Sequence, residues 1–173
     1  MHAHSDYTIE VKGTHEEKTV LADMLFEIFK DESYNIFEKD VFIDCGVLNI
    51  EETYEVVRLE DITNMAVEMA KKAYGATFTI EGVVDTSESA GEYMDFTVSY
   101  ANGEVEEKSS DWYMYPESDL EDMTYEEYLD EYDEKYSEED FERMQQGWFI
   151  VETMGGDTVM ETVPQNKNRT IRV

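Results

Sequence analysis

The chain has 173 residues and a formal net charge of −30, from 13 Lys and Arg against 43 Asp and Glu. Its hydrophobic content of 41% and aromatic content of 13% argue against a disordered chain, and the length suffices for one domain with its own core. A chain with this much negative charge repels nucleic acid and anionic lipid. Direct binding to either is therefore disfavoured.

Nothing in the sequence predicts secretion or membrane insertion. The first eleven residues contain neither a basic region nor an apolar run, and no stretch approaches the ~18 apolar residues of a membrane span. Cys45 is the single cysteine, which excludes an internal disulfide and suits a reducing compartment. We therefore expect a cytoplasmic protein that does not contact a membrane.

The first elements follow from hydrophobic periodicity. Residues Tyr7 to Lys12 alternate as a strand with one exposed face. Thr14 and Glu17 form a capping box, which predicts a helix to about Lys30. Its predicted apolar stripe consists of Val20, Leu21, Met24, Leu25, Ile28 and Phe29.

The next stretch is harder to interpret. Residues 41–44 and 46–50 are expected to form one bent strand or two short ones, which would give Cys45 a small apolar role, and residues 54–57 another extended piece. A second amphipathic helix is predicted over about Glu60 to Tyr74, with Gly75 as the residue that ends it.

Three strands should follow as a meander. They are predicted over residues 76–84, 93–100 and 104–115, and Asn102-Gly103 is a strong signal for a two-residue hairpin between the last two. Further along, Gly147 should end a helix, and residues 147–163 are predicted to form a closing hairpin. Residues 164–173 form a basic tail, which is expected to be frayed or to lie across part of the acidic surface.

The most unusual stretch is the acidic segment, residues 117–142. Fourteen of its 26 residues are Asp or Glu, and its single base is Lys135. On a helical projection, five of its apolar and aromatic residues share one side and its acids the other. Those five residues are Tyr125, Tyr128, Leu129, Tyr132 and Tyr136. Thr124 and Ser137 are candidate N-caps, so the helix is expected to break or kink near Tyr136.

Together these elements predict an α+β fold, with a mostly antiparallel sheet and helices packed on one face. A ferredoxin-like core with an acidic helical insertion is one candidate. The predicted organisation is an α+β core (1–116), the acidic helical segment (117–146), the closing hairpin of the same domain (147–163) and the basic tail (164–173).

Motifs for catalysis or cofactor binding are absent from the sequence. It has no Gly-rich phosphate loop, nucleophile elbow or EF-hand loop, and it has almost none of the Cys and His that zinc requires. With 43 acids, some pair of carboxylates will always resemble a catalytic pair, so that pattern has no specificity. We expect no enzyme activity, no cofactor and no metal site.

The acidic segment instead suggests imitation of a nucleic acid. Like charges at i and i+4 destabilise a helix, so a merely solvated helix would normally interleave Lys. We expect these carboxylates to occupy the Lys/Arg groove of a nucleic-acid-binding protein, such as a Cas nuclease or a restriction enzyme, as small acidic phage proteins do. The candidate contact residues are Glu126, Glu127, Asp130, Glu131, Asp133, Glu134, Glu138, Glu139, Asp140 and Glu142.

Two alternatives compete with mimicry. One is an acidic binding module for a basic protein partner, in which charge does not imitate a nucleic acid. The other is a protein adapted to high salt, in which the acids are only a solvated surface. The even spread of acids along the chain, 22 before residue 101 and 21 after it, favours salt adaptation, whereas the local density in the acidic segment favours mimicry.

Overall fold

A computed structural model of the chain describes residues 4–30, 38–53, 58–85, 92–133, 135–152 and 157–173. The extended piece predicted over residues 54–57 and the candidate contact residue Glu134 lie outside these ranges.

The described residues form nine strands, five α-helices and one 3₁₀ turn. The strands are β1 (His4–Lys12), β2 (Val47–Thr53), β3 (Thr77–Asp85), β4 (Glu92–Ala101), β5 (Glu104–Ser110), β6 (Trp112–Met114), β7 (Phe149–Glu152), β8 (Thr158–Glu161) and β9 (Asn166–Arg172). The helices are α1 (His15–Phe29), α2 (Lys39–Cys45), α3 (Leu59–Lys72), α4 (Tyr125–Glu131) and α5 (Glu138–Gln145), and the 3₁₀ turn is Ser118–Asp122. The predicted α+β class is confirmed.

The strands form one sheet that divides at β4. Its main order is β2-β1-β3-β4-β6-β7-β8, and β5 and then β9 extend from the other half of β4. Residues 96–101 of β4 pair with β5, whereas Glu92 and Tyr93 pair with β6. Every strand pairing within the described residues is antiparallel. Two helices separate β1 from its neighbour β2, so the arrangement differs from the βαββαβ order of a ferredoxin-like core.

The main core lies between α1, α3 and one face of the sheet. Rows of apolar side chains cross neighbouring strands in register, as at Ile9, Ile80 and Val98. The helices cover these rows with fully buried side chains, and the apolar burial stabilises the fold at roughly 25 cal/mol per Å². The covering residues are Leu21, Ala22, Leu25, Ile62, Ala66, Met69 and Ala70.

Gly82 is required where β3 passes β1. It lies opposite Tyr7 on β1 and Phe96 on β4, and a Cβ at this position would overlap the carbonyl oxygen of Asp6. Since that obstacle is backbone, a rotamer change cannot relieve it. We expect Gly82→Ala to lower the free energy of unfolding by about 1–3 kcal/mol, the usual cost of overpacking. Urea denaturation tests this, and an unchanged stability would contradict the close approach.

A second apolar cluster lies farther along the same face of the sheet. Register aligns Glu92 with Met114, Ile150 and Met160 across β4, β6, β7 and β8. Because Glu92 and Phe96 are separated by an even number of residues, they point to the same side of β4. Met114, Ile150 and Met160 pack against α4 and α5, so these helices cover the face that α1 and α3 cover. The predicted packing of helices on one face is confirmed.

Several predictions for the first half are wrong. Residues 41–44 belong to helix α2, and Gly46 ends this helix in the left-handed conformation, with φ of 72°. The Gly46 carbonyl accepts a hydrogen bond from the Val11 amide at 2.7 Å. Cys45, expected to have a small apolar role, is exposed.

Two helix details also differ from the prediction. Val20 and Ile28 were assigned to the apolar stripe of α1 but remain 41% and 44% exposed, because Leu21, Ala22, Leu25 and Phe29 supply its buried face. Ala73, rather than a left-handed Gly75, caps α3. The capping box of Thr14 and Glu17 and the Asn102-Gly103 hairpin turn are confirmed.

The basic tail is an edge strand rather than a frayed end. β9 pairs with β5 over seven residues and places Arg172 opposite Glu104 and Arg169 opposite Glu107. Arg169 reaches the Glu107 carboxylate at 2.9 Å, and Thr63 of α3 donates to the same oxygen at 2.5 Å. Opposite charges facing each other across two strands favour this register.

Candidate functional site

The acidic segment folds as three short helical pieces. The 3₁₀ turn Ser118–Asp122 comes first, then α4, then α5. Thr124 caps α4 by accepting from the Glu127 amide at 3.2 Å, and Ser137 caps α5 by accepting from the Asp140 amide at 3.2 Å. Both predicted N-caps are confirmed.

Helix α4 ends earlier than expected, because Tyr132 is already extended. Instead of continuing the helix, the Tyr136 amide donates to the Tyr128 hydroxyl at 3.0 Å. The Tyr125 hydroxyl donates to the Tyr136 carbonyl at 2.8 Å. Two tyrosines of α4 thus satisfy backbone groups of the connection, so the break in the helix is specified by side chains.

Aromatic packing joins the pieces into one unit. The ring of Phe141 in α5 stacks on Tyr128 at 4.9 Å between centroids and contacts Tyr125 at 5.5 Å. The Gln145 amide group donates to the carbonyls of Leu120 and Met123, at 2.8 and 2.9 Å, and ties the 3₁₀ turn to α5. The carboxylates are therefore carried by a packed scaffold.

The candidate contact residues lie on two packed helices and their connection, and not along one continuous helix. Asp140 is half-buried, and Glu134 lies outside the described residues. The remaining eight are exposed: Glu126, Glu127, Asp130, Glu131, Asp133, Glu138, Glu139 and Glu142.

Arg143 is a base that pairs with two of these acids. It pairs with Glu139 at 2.7 Å and with Asp140 at 3.4 Å, and it lies over the ring of Trp148. Two candidate contact residues are thus already partly neutralised. Within the described ranges, no ion pair involves the candidate acids of α4.

The basic tail does not neutralise the acidic segment. Its three cations pair instead with carboxylates of β5 and of the residue after it. These pairs are Lys167–Asp111, Arg169–Glu107 and Arg172–Glu104. The tail therefore lies beside the acids of β5, and it does not pair with the acids of α4 or α5.

A cavity lies beside α4, where the sequence favours core packing of the tyrosines over the lining of a ligand pocket. It measures about 270 Å³, and its lining includes Tyr115, Glu117, Tyr132 and Tyr136. Of the four tyrosines on the apolar side of the helical projection, only Tyr128 is fully enclosed, at 2% exposure. No spacing in the sequence distinguishes Tyr132 from Tyr128, because the distinction depends on where the helix ends.

The neighbourhood of the cavity is electrostatically negative. The pKa of Tyr132 is raised, first by desolvation and then by the carboxylates of Asp119, Glu117 and Glu131. Ionisation of this phenol is opposed by the surrounding acids, and the same field favours a cation. Glu117 and Asp119 were not among the candidate contact residues.

The opposite face of the sheet offers a weaker candidate. A polar cavity of about 590 Å³ lies over β1, β3, β4 and β5, and its lining includes Glu10, Lys12, Thr79 and Glu106. Its size is within the range of small-molecule sites, which are about 300–1,000 Å³. Such sites are mostly apolar, whereas hydroxyls and carboxylates make up much of this one, so we do not assign it a ligand.

An aromatic group lies beyond the part of β4 that pairs with β5. It is formed by Tyr93, Tyr113, Tyr115 and Phe149, whose ring centroids are 5.2–5.9 Å apart in successive contacts. Burial, together with the hydrogen bond that Tyr113 donates to Asp95 at 2.7 Å, raises the pKa of Tyr113. This group holds β6 and β7 against β4.

Comparison with protein-family models, curated proteins and solved structures finds no match to this chain. Among the described residues, no group of three His, Cys, Asp or Glu is arranged to hold a metal ion. None of the helices in the described part of the chain has the length and apolar composition that crossing a bilayer requires.

Proposed function

We propose that this protein binds the basic groove of a nucleic-acid-binding protein by imitating a polyanion. The observation that carries the proposal is the packed acidic segment: its carboxylates are exposed and held by aromatic contacts, while the cations of the tail are paired elsewhere. A nuclease of the CRISPR or restriction type, whose groove accepts duplex, has the matching chemistry.

The charge density supports this comparison. Helix α4 has four acids in seven residues, and α5 has four in eight. At 1.5 Å of rise per residue, each helix carries about one carboxylate per 3 Å of axis. One DNA strand carries a phosphate every ~3.4 Å, so each helix has the linear charge of roughly one strand.

The packing of the segment favours mimicry over a merely solvated surface. A salt-adapted surface requires only that its acids remain hydrated. Here two tyrosine hydroxyls and one glutamine fix the backbone between the acidic pieces. A groove that recognises phosphates at fixed positions gains from such preorganisation, because less side-chain and loop freedom is lost on binding.

Competition with duplex DNA tests the proposal. The protein is immobilised, and a nuclease-treated bacterial lysate is passed over it at about 0.1 M salt, where charge pairs are only partly screened. We expect a retained nucleic-acid-binding protein that excess duplex DNA elutes. A basic partner that duplex DNA leaves bound would indicate an acidic binding module without mimicry.

Thermal melting tests the salt alternative. A salt-adapted protein should lose its cooperative transition in dilute buffer and recover it in molar NaCl. We expect this protein to melt cooperatively at low salt, because a core of buried apolar side chains and the ion pairs between the tail and residues 104–111 stabilise its fold. Collapse of the fold at low salt, together with no partner displaced by DNA, would favour salt adaptation.

A further inference from the structure

The cavity beside α4 has aromatic walls and an acidic surround. Its lining includes Tyr115, Tyr132 and Tyr136, the apolar residues Leu120 and Ile150, and the acidic residue Glu117. The hydrogen bonds from Tyr125 and to Tyr128 fix the backbone of Tyr136, so this wall is in place before a partner arrives.

The size of the cavity indicates what it would accept. Its volume of about 270 Å³ falls below the ~300–1,000 Å³ of sites for small molecules. It is large enough for the end of one long side chain.

The chemistry of the lining favours a planar cation. Ring faces attract cations, and a guanidinium stacks on them while its N–H groups bond a carboxylate in a fixed geometry. An ammonium is more strongly hydrated and presents a point charge, so it loses more on entering an aromatic site. The carboxylates of Glu117, Asp119 and Glu131 all act on this region.

We propose that this cavity, which we call the tyrosine socket (Tyr115, Glu117, Tyr132 and Tyr136), receives an arginine side chain of the basic partner. The inference depends on the proposed function and adds a chemical preference to it. The exposed carboxylates of α4 and α5 attract a basic groove, and the socket selects grooves that project arginine over those that project lysine.

Two charge-matched peptides test the preference. An oligoarginine and an oligolysine of equal length are titrated into the protein at one ionic strength, and the ratio of their dissociation constants is measured. Carboxylates alone already favour arginine somewhat, so the informative quantity is the change in this ratio in a variant. We expect Tyr132→Leu to reduce the arginine preference by about threefold to tenfold, as loss of a cation–π contact would.

A matched variant and a second socket variant complete the test. Tyr74→Leu removes a tyrosine that is 58% exposed and lies outside the acidic segment, and we expect it to leave the ratio unchanged. Glu117→Gln retains the shape of the socket, and we expect it to lower the arginine preference even if Tyr132→Leu perturbs the fold. Oligolysine binding should stay within about twofold of wild type in Tyr132→Leu, because its diffuse charge attraction remains.

The outcomes separate the two proposals. If the ratio is the same in wild type, Tyr132→Leu and Glu117→Gln while both peptides bind, the socket is refuted and the polyanion proposal stands. If neither peptide binds wild type at low salt, the acidic surface does not recruit a basic partner and both proposals fail.

Discussion

The triple variant Glu126→Lys/Glu127→Lys/Asp130→Lys is expected to bind oligoarginine, and any partner that duplex DNA displaces, at least about 100-fold more weakly than wild type. All three carboxylates are exposed on α4, and no ion pair in the described residues involves them. An exposed pair contributes up to ~1 kcal/mol, and three such losses, with new repulsion, correspond to roughly 3 kcal/mol. Isothermal titration at several salt concentrations measures the loss.

A second triple variant controls for net charge. Glu10→Lys/Glu81→Lys/Glu106→Lys alters three exposed acids on the opposite face of the sheet. Each reversal adds two positive charges, so both triple variants move the formal charge from −30 to −24. We expect the control to weaken binding by less than about fivefold, because its charges act only at long range. Equal losses in the two variants would show that binding follows net charge and has no preferred surface.

A neutral version guards against misfolding of α4. Glu126 and Glu127 lie in the first turn of the helix, where lysine is unfavourable for the helix dipole. The variant Glu126→Gln/Glu127→Gln/Asp130→Asn removes the charges without introducing repulsion. We expect a loss of about tenfold, intermediate between wild type and the lysine variant.

Phe141→Ala is expected to lower the free energy of unfolding of the acidic segment by about 3–5 kcal/mol, as large-to-small changes in a core do. Phe141 is 3% exposed and contacts both Tyr125 and Tyr128, so its ring connects α4 to α5. Without this ring, the contact that holds the exposed carboxylates of α4 and α5 in one arrangement is lost. Binding to oligoarginine should weaken as well, although no charge has been changed.

The two tryptophans allow this effect to be localised. Trp148 packs against the cluster under α4 and α5, whereas Trp112 packs against the main core. In a Trp112→Phe background, Trp148 is the remaining tryptophan and its fluorescence follows the acidic segment. Phe26→Ala, at a half-buried position on α1, serves as the control and should shift the Trp148 transition less. A shift below about 1 kcal/mol for Phe141→Ala would contradict the proposed scaffold.

Local signals predicted those elements whose periodicity and caps agree. Thr14 and Glu17 mark the start of α1, Asn102-Gly103 turns β4 into β5, and Ser137 starts α5. In each case the chemistry that defines the element lies within a few residues of it. Such elements are therefore visible in a single sequence.

Helix α2 was missed because its conformation depends on a distant strand. Val41, Phe42 and Ile43 have strand propensity, and Val41 remains 52% exposed, so apolar burial does not reveal a helix there. What fixes it is the left-handed Gly46, which lies against the backbone of Val11. A contact between residues so far apart in sequence leaves no local pattern.

The tail was missed for a similar reason. Residues 166–172 contain one apolar side chain, Ile171, so they lack the alternation typical of a strand. Their pairing with β5 depends on charges that face each other only after the meander has formed, as at Arg169 and Glu107. Composition identifies the tail as basic but does not predict which acids its side chains pair with.

The acidic segment itself was partly predicted. The exposed side of its acids and the burial of Tyr128 follow from periodicity. The end of α4 does not, because hydroxyls of Tyr125 and Tyr128 replace helical hydrogen bonds. Where α4 ends early, Tyr132 is only partly buried and lines the tyrosine socket. A helical projection treats residues up to Tyr136 as one continuous helix, so the cavity could not be predicted from it.

The division of the sheet at β4 separates two parts of the molecule that differ in charge. On one branch, residues 104–111 and 164–173 together carry four acids and four bases, so their formal charges cancel. The bases are Lys108, Lys167, Arg169 and Arg172. The other branch carries α4 and α5, where acids far outnumber bases. A diffusing molecule with this asymmetry turns its negative end toward a positive surface before contact, which raises the rate of productive encounter.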